Sequence, residues 1–283
     1  MAVPYVVRLT GAAGSLADVD VWLDVETAGS EIPPGFPDAS TTGPSNPELI
    51  DTTYDRLVCR DPGVYENFRA ENVLVYADNV TLRNFEVVRD DPTAWFAVAT
   101  QKTGGVGPTN LVLEDGRVTC EVNGVPTPSK AVGLNASDFT ARRLDISYMA
   151  DGIADHSGLV EDCFIHNMVR YEGSHNDGIQ CGKVGAFVIR HNTIIMEQQT
   201  GAVNISTNAG PINDVLIEGN YLGGGSYTLY VRDNAYGTPT GVTIRDNLIR
   251  RGQYGFLSAE SDAVIVWENN RDADTGDLIE GPT

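Results

Sequence analysis

Apolar residues in this chain recur, from about residue 70 onward, at i and i+2 and again at i+7, with an apolar residue, Gly or Asn at i+5. The units read Val80-Leu82-Phe85-Val87, Leu111-Leu113-Gly116-Val118, Phe139-Ala141-Leu144-Ile146, Val160-Cys163-Ile165, Phe187-Ile189-Asn192-Ile194, Val215-Ile217-Asn220-Leu222, Val242-Ile244-Asn247-Ile249 and Val264-Val266-Asn269. Spacing of two is the signature of a strand with one buried face, whereas a helix would repeat at three and four. The jump in phase between the pairs marks a corner, so each unit predicts two short strands joined by a bend. Successive corner positions differ by 31, 28, 19, 29, 28, 27 and 22 residues, an irregular period that suits coils with loops of variable length. A unit this small cannot bury its apolar face alone, and stacking on its neighbours solves the problem. The predicted fold is therefore all-β, a single-stranded parallel β-helix over 70–283. At its corner Asn192, Asn220, Asn247 and Asn269 are expected to stack as a ladder, with Phe85, Leu144 and Cys163 filling the same place in earlier coils.

Outside the repeat, alternation of Val19, Val21, Leu23 and Val25 with Asp20, Trp22 and Asp24 predicts a short β element over 1–28, read as an attachment piece. Residues 29–69 open with a stretch rich in Pro and Gly, Gly29 to Pro47, which cannot be the interior of a regular element. It is expected to be a linker or a loop hugging the end of the main domain.

Composition narrows the partners. The 283 residues are 41% apolar and 20% charged, with 19 basic against 39 acidic side chains and a net charge of −20. Phosphate affinity rests on basic clusters, so nucleic acid is not an expected partner, and no run approaches the roughly 18 apolar residues of a membrane helix. The start, Met1-Ala2-Val3-Pro4-Tyr5, shows no basic region followed by an apolar one, so no cleavable export signal is expected. Cys59, Cys120, Cys163 and Cys181 lack C-x-x-C spacing, and buried thiols are expected rather than a zinc site. No metal or other cofactor is expected.

Chemistry concentrates in Gly173-Ser174-His175-Asn176-Asp177-Gly178-Ile179-Gln180-Cys181. Ala150-Asp151-Gly152-Ile153 and Asn176-Asp177-Gly178-Ile179 are expected to be equivalent rungs of adjacent coils, about 4.8 Å apart. Asp151 and Asp177 would then be stacked carboxylates, and repulsion would raise one pKa, as a general acid requires. With His175 on the same face they form the candidate catalytic group. Asn176, Gln180, Lys183, Tyr230 and Arg232 are the candidate substrate-binding residues, Tyr230 and Arg232 on a later rung beside Tyr227. Asp-Gly is equally at home in ordinary turns, and both readings stand at this point.

Gly35-Phe36-Pro37-Asp38-Ala39-Ser40-Thr41-Thr42-Gly43, Asp78-Asn79-Val80-Thr81-Leu82-Arg83-Asn84 and Ser174-His175-Asn176-Asp177-Gly178-Ile179-Gln180, taken with the repeat, resemble the right-handed parallel β-helix proteins of the pectate-lyase-like superfamily. Within it they are similar to a group found in actinobacterial secreted proteins and in minor tail proteins of phages that infect actinobacteria. The resemblance covers about residues 30–270. It implies a right-handed solenoid in a phage virion tail that binds, with or without cleaving, a host cell-surface glycan, with other tail proteins and further copies of itself as candidate partners. A stand-alone extracellular polysaccharide hydrolase or lyase and a purely structural spike are the alternatives. If the chain is an enzyme, a glycoside hydrolase is favoured over a lyase, because no dense acidic calcium loop accompanies Lys183 and Arg232. The Gly-His-Gly and Arg-x-Lys elements of polygalacturonase-type hydrolases are absent.

Overall fold

Phe139, Gly158, Phe187, Val215, Val242 and Ile265 each begin a short strand, and each of these strands lies in parallel register on the one before it. The computed structural model describes residues 32–101, 107–154, 157–170, 175–182, 185–196, 200–260, 262–263 and 265–282. The expected element at 1–28 and Lys183 lie outside the described residues. Helix is confined, among the described residues, to one 3-10 turn, Pro47–Leu49, and the remaining elements are strands. The fold is a right-handed parallel β-helix. Its ladders are parallel except for a two-residue hairpin, in which Glu121 pairs with Pro126, and isolated bridges.

Each later coil contributes one strand to each of three sheets. The front sheet stacks Phe96–Thr100, Val132–Asn135, Asp151–Ala154, Asp177–Cys181, Gly201–Ser206, Tyr227–Arg232 and Gly255–Ala259. The second sheet begins at the residues named above. The third stacks Phe164–His166, Thr193–Met196, Tyr221–Gly224, Leu248–Arg250 and Arg271–Asp272. In early coils the second and third sheets run together in single long strands such as Val80–Arg89 and Leu111–Val122. Stacked strands already begin at Thr52–Cys59 and Gly63–Val75, ahead of the readable repeat. The first of these has five exposed residues in succession, so the apolar alternation that reveals the later coils is missing there.

The corner between the second and third sheets explains the x-x-Asn signature. Its second residue sits in the left-handed region in coil after coil: Asn84, Asp115, Arg143, Asp162, His191, Gly219, Asp246 and Asn269 all have φ between 48° and 64°. Asn, Asp and Gly reach that region at little cost, which is why they crowd the position. The residue that follows points inward. Asn192 Oδ1 accepts the Cys163 N–H, Asn220 Oδ1 the Asn192 N–H, Asn247 Oδ1 the Asn220 N–H, and Asn270 Oδ1 the Asn247 N–H. The last member of the ladder is thus Asn270, not Asn269. Ile265 and Trp267, rather than Val264 and Val266, align with Val242 and Ile244, which moves the corner by one residue. Asn269 is the exposed left-handed residue and donates to Asp246. Below the ladder Leu144 and Cys163 are fully buried. Burial pushes the Cys163 thiol up to about 12, and all four cysteines are buried.

Residues 32–50 lie along the side of the solenoid rather than at its end. Asn46 exchanges two hydrogen bonds with Asn84, Gly43 N–H donates to Arg143 O, and His191 Nε2 donates to Gly35 O at 2.9 Å. The Phe36 ring stacks on His191 and leans on Tyr221. This strap crosses the outer column of left-handed residues and ties together coils far apart in sequence. His191 is fastened at both nitrogens, since Nδ1 also meets Asp162 Oδ1 at 2.5 Å. Both contacts raise its pKa above 6.5, the Asp162 bond most. The proton that holds the strap is bound more tightly in the folded chain, so this stabilisation is complete below pH 6.5 and fades as pH rises through the folded value. The melting temperature is expected to decline across that window in the native chain and to stay level in His191→Gln. Equal slopes in the two proteins would show that the strap is not proton-linked.

On the outer face of the second sheet, Glu66, Arg83, Glu114, Arg142, Glu161, Arg190, Glu218, Arg245 and Glu268 form one column, each in register with the next. Ion pairs close along it, among them Arg83–Glu114 at 2.6 Å, Arg190–Glu161 at 2.6 Å and Arg245–Glu218 at 2.7 Å. Exposed pairs contribute roughly 0.2–1 kcal/mol each, so the column matters more for register than for bulk stability.

Candidate functional site

The Asp-Gly pairs open front-sheet strands and are not turns. Asp151 pairs with Asp177, and Ile153 with Ile179, as equivalent rungs. The glycines are required by close approach: a Cβ on Gly152 would lie 2.6 Å from Gly178 O, and one on Gly178 2.3 Å from the Ile194 side chain. At this position the coil narrows onto the core, and no side chain fits.

Asp151 Oδ1 accepts the Asp177 N–H at 3.0 Å, and Asp177 Oδ1 accepts the Gly201 N–H at 3.3 Å. Each carboxylate therefore caps the first N–H of the rung above. Asp177 is also bound at Oδ2 by Asn204 Nδ2, 3.0 Å away, and is fully buried. Burial pushes its carboxyl up to about 6, while the Asn204 and Gly201 hydrogen bonds and the charges of His175 and Arg232 act in the opposite direction. The expected rise in pKa is present, but its leading cause is desolvation rather than the neighbouring aspartate. His175 is exposed just before the strand, and Asn176 is buried, donating to Met149 O at 3.3 Å.

The outward column next to the aspartates carries Asn135, Ala154, Gln180, Asn204, Tyr230 and Ser258 in register. Asn204 Oδ1 is buried and has no protein donor. Tyr230 is buried, and its ring folds back against Gly201, where a Cβ would stand 2.9 Å from Cδ2. The Arg232 guanidinium covers that ring at 3.9 Å from its centroid. Tyr227 packs edge-on against Tyr230 and leans on Tyr254, which is 58% exposed. The structure thus gathers Asp151, Asp177, Gln180, Tyr230 and Arg232 on one face with His175 at its margin, and turns Asn176 inward.

Asn204 and Tyr254 were not among the residues predicted from sequence. Asn204 was within reach: it stands three residues after Gly201 as Gln180 stands three after Asp177, so extending the rung alignment by one coil finds it. Among the described residues no group of three or more His, Cys, Asp or Glu is placed to hold a metal ion. No protein-family model matches the chain, and no curated protein or solved structure is significantly similar to it.

Proposed function

We propose that the front sheet is a glycan-binding face, and that the chain serves as a host-recognition component of a phage tail. The observation that carries the reading is the run Gln180, Asn204 and Tyr230 on successive rungs, with Asn135 two rungs before Gln180 and Tyr227 and Tyr254 beside it. Amides at rung spacing offer paired donors and acceptors to hydroxyls, and tyrosine rings offer apolar faces to sugar C–H groups. The net charge of −20 favours a neutral glycan over an acidic one. The tail setting rests on the segments of resemblance, with an extracellular protein as the alternative.

Cleavage is the second reading, favoured by Asp177. A carboxyl titrating near 6 has the reactivity of a general acid, and His175 stands close by. Binding takes precedence because both Asp177 oxygens are engaged and the side chain is fully buried, so it is not presented to a substrate at the surface.

Affinity electrophoresis in gels containing envelope polysaccharide from actinobacterial hosts, with a parallel assay for reducing ends and unsaturated products, tests both. Retention should weaken about tenfold in Tyr254→Ala and Gln180→Ala without a change in melting temperature. Reducing ends that disappear in Asp177→Asn would establish cleavage instead. Absence of both retention and products across the polysaccharides would end the glycan reading.

A further inference from the structure

Trp95 is 75% exposed, the most exposed large apolar side chain described, and the Lys130 ammonium sits 4.9 Å from its ring centroid. A bare indole is expensive to leave in water, and exposed aromatics of this kind mark binding surfaces. Its position in the solenoid is informative. Trp95 immediately precedes Phe96, and Phe96, Val132, Asp151 and Asp177 are register partners on successive rungs. Tyr254 immediately precedes Gly255, which closes the same row three rungs beyond Asp177 through Gly201 and Tyr227. The two exposed rings therefore occupy equivalent places in their coils, one on each side of Asp177 and about 14 Å from it at the ordinary rung spacing. The backbone under Trp95 is fixed, because its carbonyl accepts the Val132 N–H at 2.9 Å.

We infer that Trp95, steadied by Lys130, is a distal sugar-stacking platform, and that the front sheet takes an extended neutral glycan laid along the solenoid axis, not a chain end. This rests on the proposed function and adds the length and direction of the ligand. Two rings bracketing the amide column about 29 Å apart are spanned by a polymer segment, whereas a disaccharide reaches one ring only.

The test uses the full chain with dextran, pullulan, laminarin and arabinogalactan as probes, together with di- to octasaccharides cut from whichever polymer is retained. In the native chain the polymer and octasaccharide should shield the exposed indole from acrylamide quenching, and the disaccharide should not. Trp95→Ala should keep its melting temperature, since the ring packs into no core, and should weaken polymer binding about tenfold while leaving disaccharide binding unchanged. Polymer affinity within about twofold of native in Trp95→Ala, with Tyr254→Ala impaired, would overturn the platform and leave the glycan reading intact. If the native chain retains none of the probes and none of the host polysaccharides, the underlying reading fails and the platform with it.

Discussion

Replacing Asn220 with leucine lowers the unfolding free energy by about 3–5 kcal/mol, because each orphaned buried polar group costs about 1–3 kcal/mol. Asn220 Oδ1 accepts from both the backbone N–H and the side-chain amide of Asn192, and its Nδ2 donates to Ile189 O and Glu218 O. Leucine fills the volume but strands these partners in a fully buried corner. Urea unfolding followed by circular dichroism measures the loss. A change below about 1 kcal/mol would mean that the corner relaxes around the missing amide and that the ladder is not a stabilising unit.

Asp177→Asn is expected to stabilise the protein at neutral pH by about 3 kcal/mol, a large effect in the unusual direction. The carboxyl titrates near 6 in the folded chain against an ordinary 3.8, so folding disfavours its charged form. Stability contributed by the neutral acid is present at low pH, falls as pH rises from about 3.8 to about 6, and is level above that. Asparagine removes the slope. Its carbonyl can accept the Gly201 N–H, and its amide can donate to Asn204 once that side chain turns its unpartnered Oδ1 inward. A carboxylate kept where an amide would satisfy the same neighbours more cheaply is the kind of cost that functional sites carry. Thermal melts of both proteins from pH 4 to 8 decide: parallel curves would show that Asp177 does not set the dependence, and lower stability of the variant at neutral pH would show that its charge is needed by the fold.

The fold was legible because spacing of two, a corner and spacing of two again leave few alternatives once repeated along most of the chain. The corner ladder was legible for the same reason, down to its last member. There Asn269 and Asn270 are adjacent, and only the partnership of Ile265 with Val242 shows which of them turns inward. The equivalence of Asp151 and Asp177 could be read from their glycines. The burial of Asp177 could not, because the groups that engage its two oxygens, the Gly201 N–H and the Asn204 amide, come from the next coil. The strap was legible as irregular chain but not as a tie, since its partners Asn84, Arg143 and His191 are spread across the solenoid and each is also a plausible corner residue.

The charged column on the second sheet has an arithmetic consequence. Because Glu and Arg alternate from Glu66 to Glu268, loss or duplication of a single coil inside the column sets glutamate against glutamate or arginine against arginine at the new junction. Loss or duplication of two adjacent coils restores every pairing. The solenoid thus has a parity as well as a length: over this stretch it can grow or shrink by even numbers of coils without mismatching the charges of the column.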